Sequence, residues 1–299
     1  MTSRRLQVVR AGPLSTVQDL GRPGWAHLGV PRSGAADRSS LRLANRLVGN
    51  HESAAGLEVT VGGLELRAEG DLTVAITGAN CPITISGTPS PARAVLRLPS
   101  GATLALGPAR RGVRAYLAVR GGLAVPPVLG SRSTDTLSGL GPAVLGAGDR
   151  LDVGFEVTGW PRVDVAPGPD LPDGPVRLVA VAGPRDEALA AGGRELLAGT
   201  TWRVSDRSDR IGLRLDGPAL PVVESWTTPS EGVVAGAIQL PPGGQPVVFL
   251  ADHPVTGGYP VVAVLAEREI DRAAQLRPGQ ELSLLIRDDY SPVLSDNFV

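Results

Sequence analysis

The chain contains no lysine; all 29 of its basic side chains are arginine. That excludes a lysine Schiff base, the lysine of a phosphate-binding P-loop and a biotinyl-lysine on this polypeptide. Cys81 is the single cysteine, so there is no intramolecular disulfide and no cysteine-based metal cluster, and a reducing compartment suits the chain. Followed by Pro82 in an apolar stretch, Cys81 reads as a small buried residue rather than a nucleophile. Aromatic residues make up 3% and Met1 is the sole methionine, which leaves Val, Leu, Ile and Ala to fill a core. No apolar run approaches the roughly 18 residues of a membrane span. The N-terminal MTSRRLQVVR lacks the apolar centre of a signal peptide, and a cytoplasmic location is expected. A net charge of -1 with a pI near 6.3 gives no case for nucleic acid or an anionic membrane as partner. Gly-x-Ser-x-Gly, Walker and His-Glu-x-x-His motifs are missing too, which disfavours the self-contained hydrolase, ATPase and zinc-protease plans; no metal site is expected.

Glycine and proline are abundant instead, at 39 and 27 residues, and spread along the chain as many short strands joined by tight turns require. A length of 299 residues suits two domains of about 150 residues each. Alternation such as Leu64 and Leu66 against Glu65 and Arg67 predicts half-buried antiparallel strands between Leu57 and Val153, and barrel closure would remove their open edges. The clearest helix spans Asp37 to Val48: Asp37 N-caps it, Leu41, Ala44, Leu47 and Val48 share a face, and Gly49 with Asn50 ends it. Residues 154 to 175 are dense in Pro, Gly and Asp and mark a boundary between domains at 1–160 and 176–290.

Three short motifs return in the second half in the same order. VVRAGP around Gly12 matches VAVAGP around Gly183, RLPSGATLAL around Gly101 matches QLPPGGQPVV around Gly243, and LGAGDRLDV around Gly148 matches LRPGQELSL around Gly279. They predict an internal duplication. Two packed barrels leave a cleft between them, and sites favour such interfaces.

The richest polar stretch runs from Glu224 to Pro260. Ala237 to Leu240 and Pro246 to Ala251 read as a hairpin around the turn PPGG. Its second strand leads into Asp252 and His253, candidates for acid, base or orienting pair at a strand end. Thr256, Gly257, Gly258 and Tyr259 follow, the glycines offering backbone amides to a carboxylate or developing oxyanion. Glu231, in PSEG, is a candidate general base if partly desolvated. In SDRSDRIGLRL, Arg207 and Arg210 are forks suited to a carboxylate or phosphate, with self-paired surface charges as the bland alternative. His27, Arg32, Ser33 and Arg38 crowd the loop before the helix and are expected to face the Ser230 to Tyr259 region. His51 reads as surface.

The blocks GPLSTVQDLGRPGWAHLGVPRSGAADRSSLRLANRLVGN, RAYLAVRGG with LGSRST, SDRSDRIGLRL and SEGVVAGAIQLPPGGQPVVFLADHPVTGGYP together resemble the KipA family. Its members are also called the 5-oxoprolinase C subunit or allophanate hydrolase subunit 2, and are similar to part of the urea carboxylase carboxyltransferase domain. The resemblance implies a mainly β fold of two cyclophilin-like β-barrel domains with few short helices. It implies work in a heteromeric complex, with the KipI-like B subunit of 5-oxoprolinase and its LamB/YcsF-like A subunit, in ATP-dependent opening of 5-oxo-L-proline to L-glutamate. ATP is then a co-substrate, held here by arginines and amides or by a partner. The other expectations are a biotin-dependent carboxyltransferase or allophanate hydrolase subunit 2, with any biotin on another protein, and a non-catalytic regulator of the KipI-like partner.

Overall fold

A computed structural model describes residues 4–160, 163–168, 171–223, 226–227 and 229–288. Glu224, the start of the polar stretch, and residues 289–290, the end of the expected second domain, lie outside them. Strand alternation behaves as the pattern requires: in the strand Leu64–Glu69, Leu64, Leu66 and Ala68 point into the core while Glu65, Arg67 and Glu69 face outward. The first half folds as two sheets. One runs in the order Arg150–Asp152, Arg5–Ala11, Leu64–Glu69, Thr103–Leu106, Ile83–Ile85, Thr88–Ser90; the other in the order Leu14–Gln18, Gly56–Thr60, Arg111–Val119, Leu72–Asn80, Leu96–Leu98. Aliphatic side chains from Leu6 to Val153 fill the space between them, and Cys81 is buried among them with its thiol pushed up to about 11 by desolvation.

The second half is a closed seven-stranded barrel: Val176–Ala182, Val261–Leu265, Ala237–Gln239, Val247–Phe249, Gly212–Asp216, Trp202–Val204 and Glu281–Arg287. Val176–Ala182 closes it by pairing parallel with Glu281–Arg287; the other neighbours are antiparallel. The expected hairpin is present, with Ile238 opposite Val248 and the Gly244 amide donating to the Pro241 carbonyl at 2.9 Å across the turn. Trp202 anchors the barrel's own core, its indole N–H donating to the Leu197 carbonyl at 3.0 Å.

Three α-helices are present among the described residues: α1 (Arg38–Leu47), α2 (Gly193–Gly199) and α3 (Glu267–Ala273). No helix is long and apolar enough to cross a membrane. The apolar face of α1 settles on Ala75 and Ala118, small residues that let the helix lie close to the sheet. That cover explains why Arg111–Val119 is buried almost throughout. The opposite end of α1 abuts the barrel, where Ala36, Ala251 and Ala274 form a small apolar contact between the halves.

Candidate functional site

Around that alanine contact the seam between the halves is polar. Arg210, 1% exposed, lies at its centre. Its Nε and Nη2 donate to the two oxygens of Asp252 at 2.9 and 3.0 Å, its Nη2 also to the Gly34 carbonyl at 2.6 Å, and its Nη1 pairs with Glu58 of the first half. Asp252, 0% exposed, accepts further bonds from Ser33 Oγ at 2.6 Å and from the Thr136 amide and hydroxyl at 2.9 and 2.7 Å. Desolvation alone would raise its pKa; Arg210 and these donors outweigh burial and hold the carboxyl below the usual carboxylate range. Glu58 also receives the Ala36 amide at 2.9 Å and the Tyr116 hydroxyl at 2.8 Å, with Arg114 at 3.5 Å. Gln275 reaches from the barrel to Asp37 at 2.7 Å and takes the amides of Val113 and Arg114, both at 3.0 Å. Asp271 accepts the amides of Arg38 and Ser39 at 2.9 and 3.2 Å. The N-terminus of α1 is thus filled by two carboxylates, Asp37 of its own chain segment and Asp271 from the other half.

Beside this network an open cleft of about 420 Å³ lies between the halves. Its walls are mainly Val30, Pro31, Val233, Val255, Leu265 and Ile270; its polar groups are Arg32, Arg38, His253 and Glu267. Neither the Arg32 nor the Arg38 guanidinium makes an ion pair or hydrogen bond among the described residues. Burial, then the neighbouring Arg32, lower the pKa of Arg38, and the carboxylates of Asp271 and Glu267 offset only part of this. His253 is 9% exposed, and its Nδ1 lies 2.6 Å from the Pro254 carbonyl, which only accepts. Nδ1 therefore carries the proton and Nε2 its lone pair. Desolvation, opposed by the bond to Pro254, lowers the imidazole pKa, so the ring is neutral near pH 7. The chemistry available is capture of an anion by two guanidinium groups opposite a neutral imidazole base.

The structure brings together some of the residues expected from sequence and disperses others. Arg32, Arg38 and His253 share the cleft. Asp252, Arg210 and Ser33 lie beneath it with their polar atoms spent on each other, so they have no face to offer a ligand. Asp252 and His253 make no hydrogen bond to one another; their side chains point opposite ways, one into the seam and one into the cleft. Glu231 pairs with Arg185 at 2.9 Å, and its strand, Glu231–Gly232, pairs with Thr256–Gly257, next to the cleft wall. Gly258 and Tyr259 are exposed; the Tyr259 carbonyl accepts from Gln239 at 2.9 Å. His27 is exposed and stacks on Trp25 with ring centres 6.4 Å apart. Arg207 is 73% exposed, 3.6 Å from Asp216, and does not line the cleft. Sequence reasoning passed over Glu58, Arg114, Tyr116, Asp271 and Gln275. Glu58 carried a signal: a carboxylate centred in the apolar strand GLEVT requires a buried partner. Among the described residues no group of His, Cys, Asp and Glu is arranged to hold a metal ion.

Comparison with known proteins follows the same lines. The profile of the carboxyltransferase domain, subdomain A and B, matches residues 28–285. The chain is 36% identical to the 5-oxoprolinase C subunit of Escherichia coli over 286 residues, covering 93% of this chain and 89% of that protein. It is 32% identical to urea amidolyase of Lachancea kluyveri, covering 93% of this chain but 17% of that much longer protein. Among solved structures, TTHA0988 is 37% identical with a TM-score of 0.86, and K. lactis urea amidolyase 29% identical with a TM-score of 0.90. The chain spans 56% of the former and 19% of the latter. With a match of this extent, joined to the near full-length similarity to a 5-oxoprolinase C subunit, the chain belongs to the carboxyltransferase domain family of subdomains A and B.

Proposed function

We propose that the chain is the C subunit of a heteromeric 5-oxoprolinase, which opens 5-oxo-L-proline to L-glutamate, and that the cleft between its halves binds the substrate. The observation that carries this reading is the placing of two unpaired guanidinium groups and one neutral imidazole in a single apolar-walled volume. Arg32 and Arg38 hold the substrate carboxylate, the apolar wall takes the ring methylenes, and His253 Nε2 accepts a proton from the attacking water or the ring amide. A lactam is resonance-stabilised, and acid–base help of about 10² to 10⁴-fold does not open it at a useful rate unaided. ATP-driven activation of the lactam oxygen supplies the difference. The cleft does not fit a nucleotide: two cations suit one anionic group, and the α1 amides that would otherwise cradle a phosphate are taken by Asp37 and Asp271. We therefore assign ATP to a partner, in the complex with the LamB/YcsF-like A and KipI-like B subunits.

The test is ATP-dependent glutamate formation from 5-oxo-L-proline by the three co-expressed subunits. Turnover that persists at the wild-type rate in the Arg38→Ala and His253→Gln complexes would remove the site assignment. A second reading, a carboxyltransferase component that works with a biotinylated carrier, is supported by the family profile and by the urea amidolyase similarity. With no lysine here, the biotin would be held outside this sequence, and dependence of turnover on a biotinylated carrier separates the two.

A further inference from the structure

We infer that Arg210 is the positioning residue of the cleft: one buried guanidinium sets the distance between the wall that carries Arg32 and Arg38 and the corner that carries His253. Its Nη2 donates at once to the Gly34 carbonyl, between those two arginines in sequence, and to Asp252, the residue before His253. Both attachments are rigid. Ser33 and Gly34 have φ of 53° and 96°, and a side chain on Gly34 would strike the Gly21 amide nitrogen at 2.7 Å, so the loop has one tight path. On the other side the Asp252 amide donates to the Arg210 carbonyl at 3.0 Å and the Leu250 amide to the Ile211 carbonyl at 2.9 Å, tying the corner to the segment that bears the guanidinium. Ser33 Oγ and Thr136 complete the coordination of Asp252. Because Asp252 and His253 are adjacent, a shift of the Asp252 backbone carries His253 with it relative to the cleft.

Lysine retains the charge at 210 but has a single nitrogen, which does not bridge Asp252, Glu58 and Gly34 in the planar fork geometry. The inference rests on the proposed site, but its first test needs no turnover. The chain has three histidines; His27 and His51 are exposed and serve as internal references for His253 in an NMR titration of the intact protein. The charged groups acting on His253 are Asp252 and Asp135 from the seam and Arg32, Arg38 and Glu267 around the cleft. In Arg210→Lys, the His253 midpoint is expected to move up toward the ordinary 6.5. Thr136→Val, which removes one donor to Asp252 and no charge, shifts it the same way by less and remains readable if Arg210→Lys does not fold. In the assembled complex, kcat/KM is expected to fall by up to about 10²-fold in Arg210→Lys, the scale of an ångström misplacement, with the acidic limb of the pH–rate profile following the His253 midpoint. Folded variants that lose only thermal stability, with wild-type His253 titration, overturn the inference. A complex inactive toward 5-oxo-L-proline, with the NMR shift still present, removes the substrate reading and leaves the positioning role standing.

Discussion

The base role proposed for His253 rests on a small set of local facts: a carbonyl at Nδ1, a desolvated ring and an inward-turned neighbour in Asp252. His253→Gln preserves a polar side chain of similar reach without a titratable nitrogen. A fall in kcat of about 10²-fold or more, with near-normal thermal stability at pH 8, is the expected result in steady-state assays. Because the folded pKa lies below the ordinary 6.5, the unfolded chain binds more protons between the two values. Stability due to this residue is therefore complete above pH 6.5 and declines as pH falls toward the folded value, a slope that denaturant titrations should find flattened in His253→Gln. The arginines divide by burial. Arg38→Ala is expected to raise KM about tenfold or more, the loss of one charge-assisted contact of roughly 1.5 kcal/mol or above. Arg207→Ala, which removes an exposed pair that contributes under about 1 kcal/mol, leaves KM and kcat unchanged. Sequence placed all three of these residues among the candidates; it did not separate them, because exposure is decided by which segments pack together, and Arg207 and Arg210 stand three positions apart in one loop.

At the scale of elements, α1 shows which part of a fold is readable locally. Its start at Asp37, its apolar face and its end before Gly49 follow from near neighbours, and the observed helix, Arg38–Leu47 with the Ser40 amide donating to Asp37, lies within the expected bounds. The hairpin around PPGG was equally legible, since a turn depends on four adjacent residues. Asp271, which shares the capping of α1 from 233 positions away, left no trace near the helix. The shared cap has a measurable consequence. Desolvation first, then the Asp271 charge, raise the Asp37 carboxyl from 3.8 to about 6. Between those values the folded chain binds more protons than the unfolded one, so this carboxyl stabilises below pH 3.8 and loses that contribution as pH rises through 6. Asp37→Ala removes the cap at a cost of about 1 to 2 kcal/mol. Chemical denaturation at two pH values should show the larger loss near pH 4.5 and a smaller one near pH 7.5; equal losses would mean that Asp37 is ionised in the folded chain throughout.

Each half of the molecule has a core of its own, Leu6 through Val153 in one and Trp202 with the barrel aliphatics in the other, and the two apolar clusters are separate. The halves are coupled across a seam made chiefly of charges and amides, which composition and periodicity do not reveal because no hydrophobic pattern encodes it. Gln275 is the seam's most economical link: it donates to Asp37 and to the Arg114 carbonyl, and accepts the Val113 and Arg114 amides. Gln275→Ala leaves two buried N–H groups and part of a buried carboxylate without partners, each worth roughly 1 to 3 kcal/mol, while neither core loses a packed side chain. The expected outcome is a loss of coupling rather than of fold. Trp202 is fully buried in the barrel, and in a background with the other three tryptophans replaced by phenylalanine its fluorescence reports on that half, whereas circular dichroism follows the strands of both. In that background the two signals should change together on heating, as a cooperative seam requires. In Gln275→Ala they should separate by several degrees. Coincident transitions in the variant, merely shifted to lower temperature, would mean that the Arg210, Glu58 and Asp252 charges alone suffice to make the halves unfold as one.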